Sequence, residues 1–418
     1  MALSYGFEPV LAQQTAKKII PDGTMGEYLE PIDSLEKKKF LQHRYLFTGR
    51  LSSFRVGMGF LYEYTAFSQD VIAKQQLDSI GSPLENQLKV RDFRIMANGQ
   101  LTTKRVISWK IGLMYDGPSR EWLMRETGVT IAVPEISGHI FVGRTKEGYS
   151  LNKVMNGYAG WTMERQMVLD VIPILADGIK WIGFWPKKKI IWNVGIYDDY
   201  FSKSQGFSTY SWQTVARVGW LPIFLPESKK QLHLGVSYRY GKVEAGEMRV
   251  RSRPESNPAP FFIDTENFHA GHSNHIGAEV YYTNGPLMLA SEYHWHKFSS
   301  PEKGNPLFHG GDVAISYIFT GASRPYSTVS GVYSFVPVKN PVFKGGWGEV
   351  EGLLRISNLD LDSGQLQGGK LWRVTPMVNW YLSKSLRLEF AYGYAVLDRF
   401  NLKGVTQIFQ TRLQLAIL

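Results

Sequence analysis

The sequence predicts an all-β fold, a 16-stranded antiparallel transmembrane β-barrel. Three observations predict it. Segments of about ten residues alternate between apolar and polar-or-small positions, as a strand facing lipid on one side and a lumen on the other must. An even number of such segments, sixteen, can be counted along the chain. Tight turns alternate with long polar connections, whereas the connections of soluble sandwiches are mostly short.

In chain order the segments are 45–66, 89–99, 105–116, 122–133, 137–146, 175–185, 189–199 and 209–222. They continue as 231–244, 274–283, 287–298, 309–320, 347–361, 369–382, 386–398 and 406–418. Five of them show the division most cleanly. In 106–116, Ile107, Trp109, Ile111, Leu113 and Tyr115 oppose Ser108, Lys110, Gly112, Met114 and Asp116. In 209–220, Thr214, Ala216, Val218 and Trp220 oppose Gln213, Val215, Arg217 and Gly219. In 231–240, Leu232, Leu234, Val236, Tyr238 and Tyr240 oppose Gln231, His233, Gly235, Ser237 and Arg239. In 385–397, Leu386, Leu388, Phe390, Tyr392 and Tyr394 oppose Arg387, Glu389, Ala391, Gly393 and Ala395. In the last segment, Phe409, Thr411, Leu413, Leu415 and Ile417 oppose Gln410, Arg412, Gln414 and Ala416, with Leu418 one residue beyond. No apolar face in these five carries a charge, and aromatics end many of them, as interfacial girdles require. Short turns fall at 186–189, 283–286 and 382–385, and long connections at 67–87, 147–174, 244–273 and 321–346.

The bulk numbers agree with a barrel and exclude several other classes. Mean hydropathy is −0.20, and no run reaches the ~18 apolar residues of a spanning helix. Alternation hides a barrel from that test, because the two faces average out. The 418 residues contain no cysteine, which excludes disulfides and thiolate chemistry. The formal charge is +10, read either as a basic soluble protein that holds nucleic acid or as a cavity that draws anions. The barrel pattern selects the second, so no nucleic-acid partner is expected. No nucleophile–base–orienter set and no Gly-rich phosphate cradle stands out, so neither enzymatic activity nor a cofactor is expected. An outer-membrane barrel enzyme and a soluble all-β binding protein remain as rival classes. The segment 1–12 carries Val10-Leu11-Ala12, read as the remnant of a signal peptide or as an ordinary terminus. The polar, basic stretch 13–44 is a periplasmic or plug segment with a short helix expected near 33–39, and 45–418 forms the barrel.

From about residue 45 onward the chain resembles the phosphate-selective porin O and P family. The motifs that carry the likeness are Gly143-Arg144-Thr145-Lys146-Glu147-Gly148-Tyr149-Ser150-Leu151, ending near Met163-Glu164-Arg165, and Tyr317-Ile318-Phe319-Thr320-Gly321-Ala322-Ser323-Arg324-Pro325-Tyr326. Trp347-Gly348-Glu349-Val350-Glu351, Asn358-Leu359-Asp360-Leu361 and Val378-Asn379-Trp380-Tyr381-Leu382 follow in order. No one string is specific; their order and spacing are. The resemblance implies a sixteen-stranded outer-membrane barrel in a Gram-negative cell, narrowed by inward-folded loops. It also implies a homotrimer set in outer-membrane lipid, with small anions as solutes.

Candidate pore residues follow. Arg249, Arg251 and Arg253 project from one side of an extended segment, spaced roughly 6–7 Å apart. Three such forks can pass an anion along, or can sit on a solvated loop paired with Glu247 and Glu255; the resemblance favours the ladder. The resemblance also matches Lys153 to a constriction lysine, Arg50 to a basic pore residue, and Arg91 to the first of two adjacent arginines. Asp92 replaces the second arginine, and Arg125 falls where the family has an acidic residue. That exchange leaves a general anion preference and puts phosphate specificity in doubt. Glu292, His294 and His296 carry metal-ligand types at alternate positions, which strand periodicity explains as well, so no metal is expected. Ile417 is expected to take the outward place of the aromatic with which the family usually ends.

Overall fold

The computed structural model describes residues 47–202 and 210–417. The expected segments 1–12 and 13–44, the helix near 33–39, and Leu418 lie outside the described residues. Sixteen strands form the wall. The first eight are β1 Ser52–Gln69, β2 Gln87–Leu101, β3 Ile107–Asp116, β4 Glu121–Met124 with Thr127–Val133, β5 Gly138–Thr145, β6 Ala176–Trp185, β7 Ile190–Asp198 and β8 Tyr210–Leu225. The second eight are β9 Lys230–Val243, β10 His272–Asn284, β11 Leu287–Phe298, β12 Leu307–Ile318, β13 Glu349–Ser363, β14 Leu366–Tyr381, β15 Leu386–Arg399 and β16 Leu402–Ile417. Each pairs antiparallel with its chain neighbours, and β1 pairs with β16 from Met58↔Ile417 to Gln69↔Thr406. Closure leaves no sheet edge open to lipid, where unpaired backbone groups would be costly.

The inside–outside logic of a soluble protein is reversed here. Outward residues such as Val236 and Val313 are more than 60% exposed, at 61% and 63%, whereas the inward Arg217 and Arg239 are 1% and 0% exposed. Large exposed apolar residues and enclosed charges make sense only if the outer solvent is hydrocarbon. Arg387 and Arg412 point inward, and Ile417 points outward. Exposed aromatics gather toward both rims, with Trp122, Trp212, Trp295 and Trp372 near one and Trp185, Trp220 and Trp347 near the other. A charge placed at the midplane of such a face would cost about 2–4 kcal/mol.

The expected alternation of short turns and long connections holds with one correction. Long connections at 70–86, 146–175 and 244–271 leave from one end, where two-residue links at 364–365 and 400–401 also lie. The opposite end carries short turns such as 186–189 and 285–286, yet also the long connection 319–348. That fourth long connection therefore belongs to the turn end, a distinction that counting lengths without counting strands misses. The helix α1 (Val71–Ser79) in 70–86 seats on the β15–β16 link, where the Gln76 amide donates to the Leu397, Arg399 and Leu402 carbonyls. Gly404 makes room for it: a Cβ there would come within 2.4 Å of the Ala73 nitrogen.

Candidate functional site

Three connections fold into the lumen and decide what remains open. The segment 146–175 carries the one-turn helix α2 (Leu151–Val154). A single carboxylate on β11 holds both of its arms. Glu292 accepts from the Ser150 hydroxyl at 2.5 Å, the Asn152 backbone N–H at 2.9 Å and the Gln166 amide at 2.8 Å. The Tyr281 hydroxyl, at 2.6 Å, completes the shell. The motif read in the sequence as three alternating ligand types is thus a clamp for the loop. His294 lies 3.1 Å from Glu292, while His296 turns to His275. Among the described residues no three such side chains gather closely enough to hold a metal ion.

The backbone of the same segment is held from the opposite wall. Gln414 on β16 donates to the Tyr158 carbonyl at 3.0 Å, Arg387 on β15 to Gly160 at 2.6 Å, and Asn379 on β14 to Trp161 at 2.8 Å. Arg412 donates to Met163, and Arg355 on β13 to Glu164 at 3.0 Å. The segment 244–271 is held likewise, with Arg373 donating to the Pro254 and Glu255 carbonyls and Arg399 to Phe262 and Asp264. The segment 319–348 enters from the other end. Arg324 donates to the Ala159 carbonyl at 2.9 Å, Arg217 on β8 to Gly331 at 3.0 Å, and Tyr326 meets His233 at 2.7 Å. A carbonyl without water must find a donor, and here wall arginines, with Gln414, Asn379 and Arg324, supply it.

Inward side chains on β8–β11 are accordingly buried, whereas on β2–β4 Arg91, Arg94, Met96, Asn98, Lys110, Leu123 and Arg125 keep part of their surface. The open cross-section therefore lies against β2–β4. Two bulges shape this wall. On β2, Leu61↔Asp92 is followed by Tyr62↔Val90, so Arg91 is an extra residue. On β4, Arg125 and Glu126 separate the two halves of the strand, with the Arg125 N–H donating to the Gly112 carbonyl at 2.8 Å. A bulge re-aims side chains, and these two send Arg91 and Arg125 into the lumen beside Asp92 and Glu126.

The placement of each sequence-predicted residue is now definite. Arg249, Arg251 and Arg253 lie on the water-facing side of their segment, with Val250 and Ser252 buried between them. Arg249 is forked onto Asp264 at 2.6 Å, and Arg251 and Arg253 each lie 4.0 Å from the Phe261 ring centroid. Neither Glu247 nor Glu255 partners them; Glu255 meets Arg355 at 2.5 Å. Arg253 lies within electrostatic reach of Arg91 on β2. Arg91 bridges Glu164 at 3.2 Å and Asp116 at 3.5 Å. Burial alone would raise Glu164, but the Arg91 and Arg412 guanidinium groups hold it down at about 2. Lys153 is fully enclosed, 2.7 Å from Glu147, which Arg239 also meets at 3.1 Å. Burial pulls its ammonium down to about 8 against the attraction of Glu147. It faces away from the open wall because α2 turns its inner side toward β9. Arg50 is exposed at the turn-end mouth.

Asp92 is enclosed, receiving Arg94 at 2.6 Å and the Tyr158 hydroxyl at 2.7 Å. The Arg125 side chain makes no hydrogen bond or ion pair among the described residues, and it lies within electrostatic reach of Asp92, Arg94, Arg165 and Glu126. Sequence reasoning missed Arg94 as a pore residue and met Arg165 only as the end of a motif. The signal for Arg94 was its parity, two residues beyond Asp92 on the same inward face.

A family model described as phosphate-selective porin O and P matches residues 74–417. An uncharacterized protein of Caulobacter vibrioides is 27% identical over 176 residues, which is 41% of this chain and 35% of that protein's length. Among solved structures, the anion-selective porin from Comamonas acidovorans superposes with a TM-score of 0.55 at 11% identity, covering 88% of this chain and 100% of that one. The outer membrane channel DcaP of Acinetobacter baumannii gives 0.55 at 9% identity, covering 89% and 99%. OprB of Pseudomonas putida gives 0.55 at 8% identity, covering 95% and 100%.

Proposed function

The chain belongs to the phosphate-selective porin O and P family, and from that premise we propose that this outer-membrane channel passes small anions down their gradient. One observation carries the reading: the open cross-section lies against a wall whose cations are not all paired, the Arg125 side chain making no hydrogen bond or ion pair among the described residues. Arg249, Arg251 and Arg253 collect anions at the loop end and hand them to Arg91 and then to Arg125. Each guanidinium offers charge-assisted hydrogen bonds that replace part of the hydration shell. Carboxylates such as Asp116 and Glu164 keep each stop shallow, which conduction requires. Lys153 adds its field from behind the loop, and Arg50 does so at the far mouth. No chemical step is assigned, since a gradient and a polar path suffice.

The anion preference is general, without phosphate specificity. Asp92 puts a carboxylate beside the arginines, and a multiply charged anion feels that repulsion more than a singly charged one. The chain is read as one protomer of a homotrimer in outer-membrane lipid, for which crosslinking of the detergent-solubilised protein is the check. The principal test is the reversal potential of single channels in a chloride gradient. Anion preference is expected, and cation preference would overturn the proposal.

A further inference from the structure

The inner surface of β2–β4 can be laid out from its register. Arg94, Met114 and Leu123 form one row across the three strands. Met96 and Gly112 form the next row, which ends at the Arg125–Glu126 bulge, and Asn98, Lys110 and Gly128 form the third. Cationic and apolar side chains are therefore interspersed on this surface, with Met96 next to Arg94 along β2 and Leu123 next to Arg125 along β4. Arg94, Met96, Lys110, Leu123 and Arg125 all keep part of their surface, so the pattern faces water. Arg165 approaches from segment 146–175. At Gly157, one ideal Cβ position lies 3.6 Å from an Arg165 guanidinium nitrogen and 3.8 Å from an Arg94 one. Two guanidinium groups thus converge on one point, and Arg125 lies within electrostatic reach of both. Arg94 spends its Nη2 on Asp92, and Arg165 spends its Nε and Nη2 on the Asn152 and Met155 carbonyls, which leaves the Nη1 of each beside the shared point.

We propose that Arg94, Arg125 and Arg165 form a site for organic monocarboxylates, with Met96 and Leu123 receiving the hydrocarbon part of the solute. The inference rests on the anion-channel reading and deepens it by naming the solute class. A carboxylate fits a guanidinium fork with two parallel hydrogen bonds. The neighbouring Asp92 and Glu126 carboxylates weigh more against a dianion than against a monoanion. The thioether and isobutyl groups beside the forks offer nothing to a hydrated inorganic ion. They do gain from covering methylene groups, about 0.8 kcal/mol for each one fully buried. The site stays shallow because its apolar half remains open to the lumen.

The experiment is block of single-channel chloride current by acetate, hexanoate and inorganic phosphate, each added separately. In the wild type, hexanoate is expected to half-block at a concentration about tenfold below acetate, a partial return on four added methylenes, and phosphate should block no more tightly than acetate. Arg125→Gln, which removes no existing partner, should weaken block by both carboxylates several-fold. Leu123→Asn and, separately, Met96→Ser should erase the difference between hexanoate and acetate while leaving acetate block in place. Tighter block by phosphate than by hexanoate overturns the proposal, as does a hexanoate-to-acetate ratio that survives both apolar variants. An anion-selective channel with equal block by the two acids refutes this inference alone, whereas cation selectivity in the wild type refutes the reading beneath it.

Discussion

The β13–β16 wall and the β2–β4 wall both point arginines into the same lumen, yet they use them differently. On β13–β16, Arg355, Arg373, Arg387, Arg399 and Arg412 each donate to a backbone carbonyl of an inward segment, and all are buried. On β2–β4, Arg91 and Arg94 meet carboxylates, the Arg125 side chain makes no hydrogen bond or ion pair among the described residues, and all three stay partly wet. The first wall is a scaffold that holds plugs, and the second is a surface that a solute can touch. Alternation along a strand fixes which face a side chain occupies; the partner it meets there decides whether its charge remains available.

The contrast can be broken most severely at Glu292. Replacing it with alanine removes the acceptor for both arms of segment 146–175, and loss of one member from such a buried polar network costs about 3–5 kcal/mol. Single-channel conductance should at least double, and the size limit for sugar uptake into liposomes should rise. An unchanged conductance would mean that the wall arginines alone hold the loop. A second cut sharpens the comparison. Arg125→Gln should leave thermal stability in detergent unchanged and lower the anion-to-cation permeability ratio two- to threefold, roughly the weight of one charge in a partly screened site. Arg387→Gln should do the reverse, lowering stability and sparing the ratio. If the two variants behave alike, the division between scaffold and solute surface fails.

Smaller effects belong to the loop end. Replacing Arg249, Arg251 and Arg253 together by alanine should reduce chloride conductance clearly at low salt. The reduction should fade at high salt, because a wet mouth is screened over about 8 Å at physiological ionic strength. Equal loss at both salt levels would point to a collapse of segment 244–271. The smallest effect concerns pH. Because burial sets Lys153 at about 8, below the ordinary lysine value, its charge is present at pH 7 and lost as pH rises to 9. The cost of enclosing that ammonium falls in the same window, so the fold loses no support. Anion preference should decline slightly over this range in the wild type and stay flat in Lys153→Gln.

Most of the wall was legible in the sequence, because period-two alternation is a local property. The segment 287–298 coincides with β11, and 386–398 differs from β15 by one residue. The bulges were not legible. Nothing in the string Lys89-Val90-Arg91-Asp92 says that Arg91 is an extra residue, since that is set by pairing with β1. The ladder spacing of Arg249, Arg251 and Arg253 was visible, but their partners were not: Asp264 comes from the return strand of the same loop, fifteen residues on. Lys153 shows the limit most plainly. Its family position was readable, whereas its enclosure with Glu147 depends on Arg239, ninety-two residues from that glutamate. Contacts of that range belong to the folded lumen.

The carbonyl anchors of segment 146–175 also set an order of events during assembly. The segment precedes most of the wall in the chain, yet Asn379, Arg387, Arg412 and Gln414, which grip it, sit on the last three strands. Until β14–β16 arrive, its arms have Glu292, but the Tyr158, Gly160, Trp161 and Met163 carbonyls lack the side chains that grip them. The final hairpin therefore does two things in one motion: it zips against β1 and locks the contents of the lumen. A chain stalled before that step would hold an unsealed cylinder with a loosely tethered interior, the form most open to periplasmic proteases.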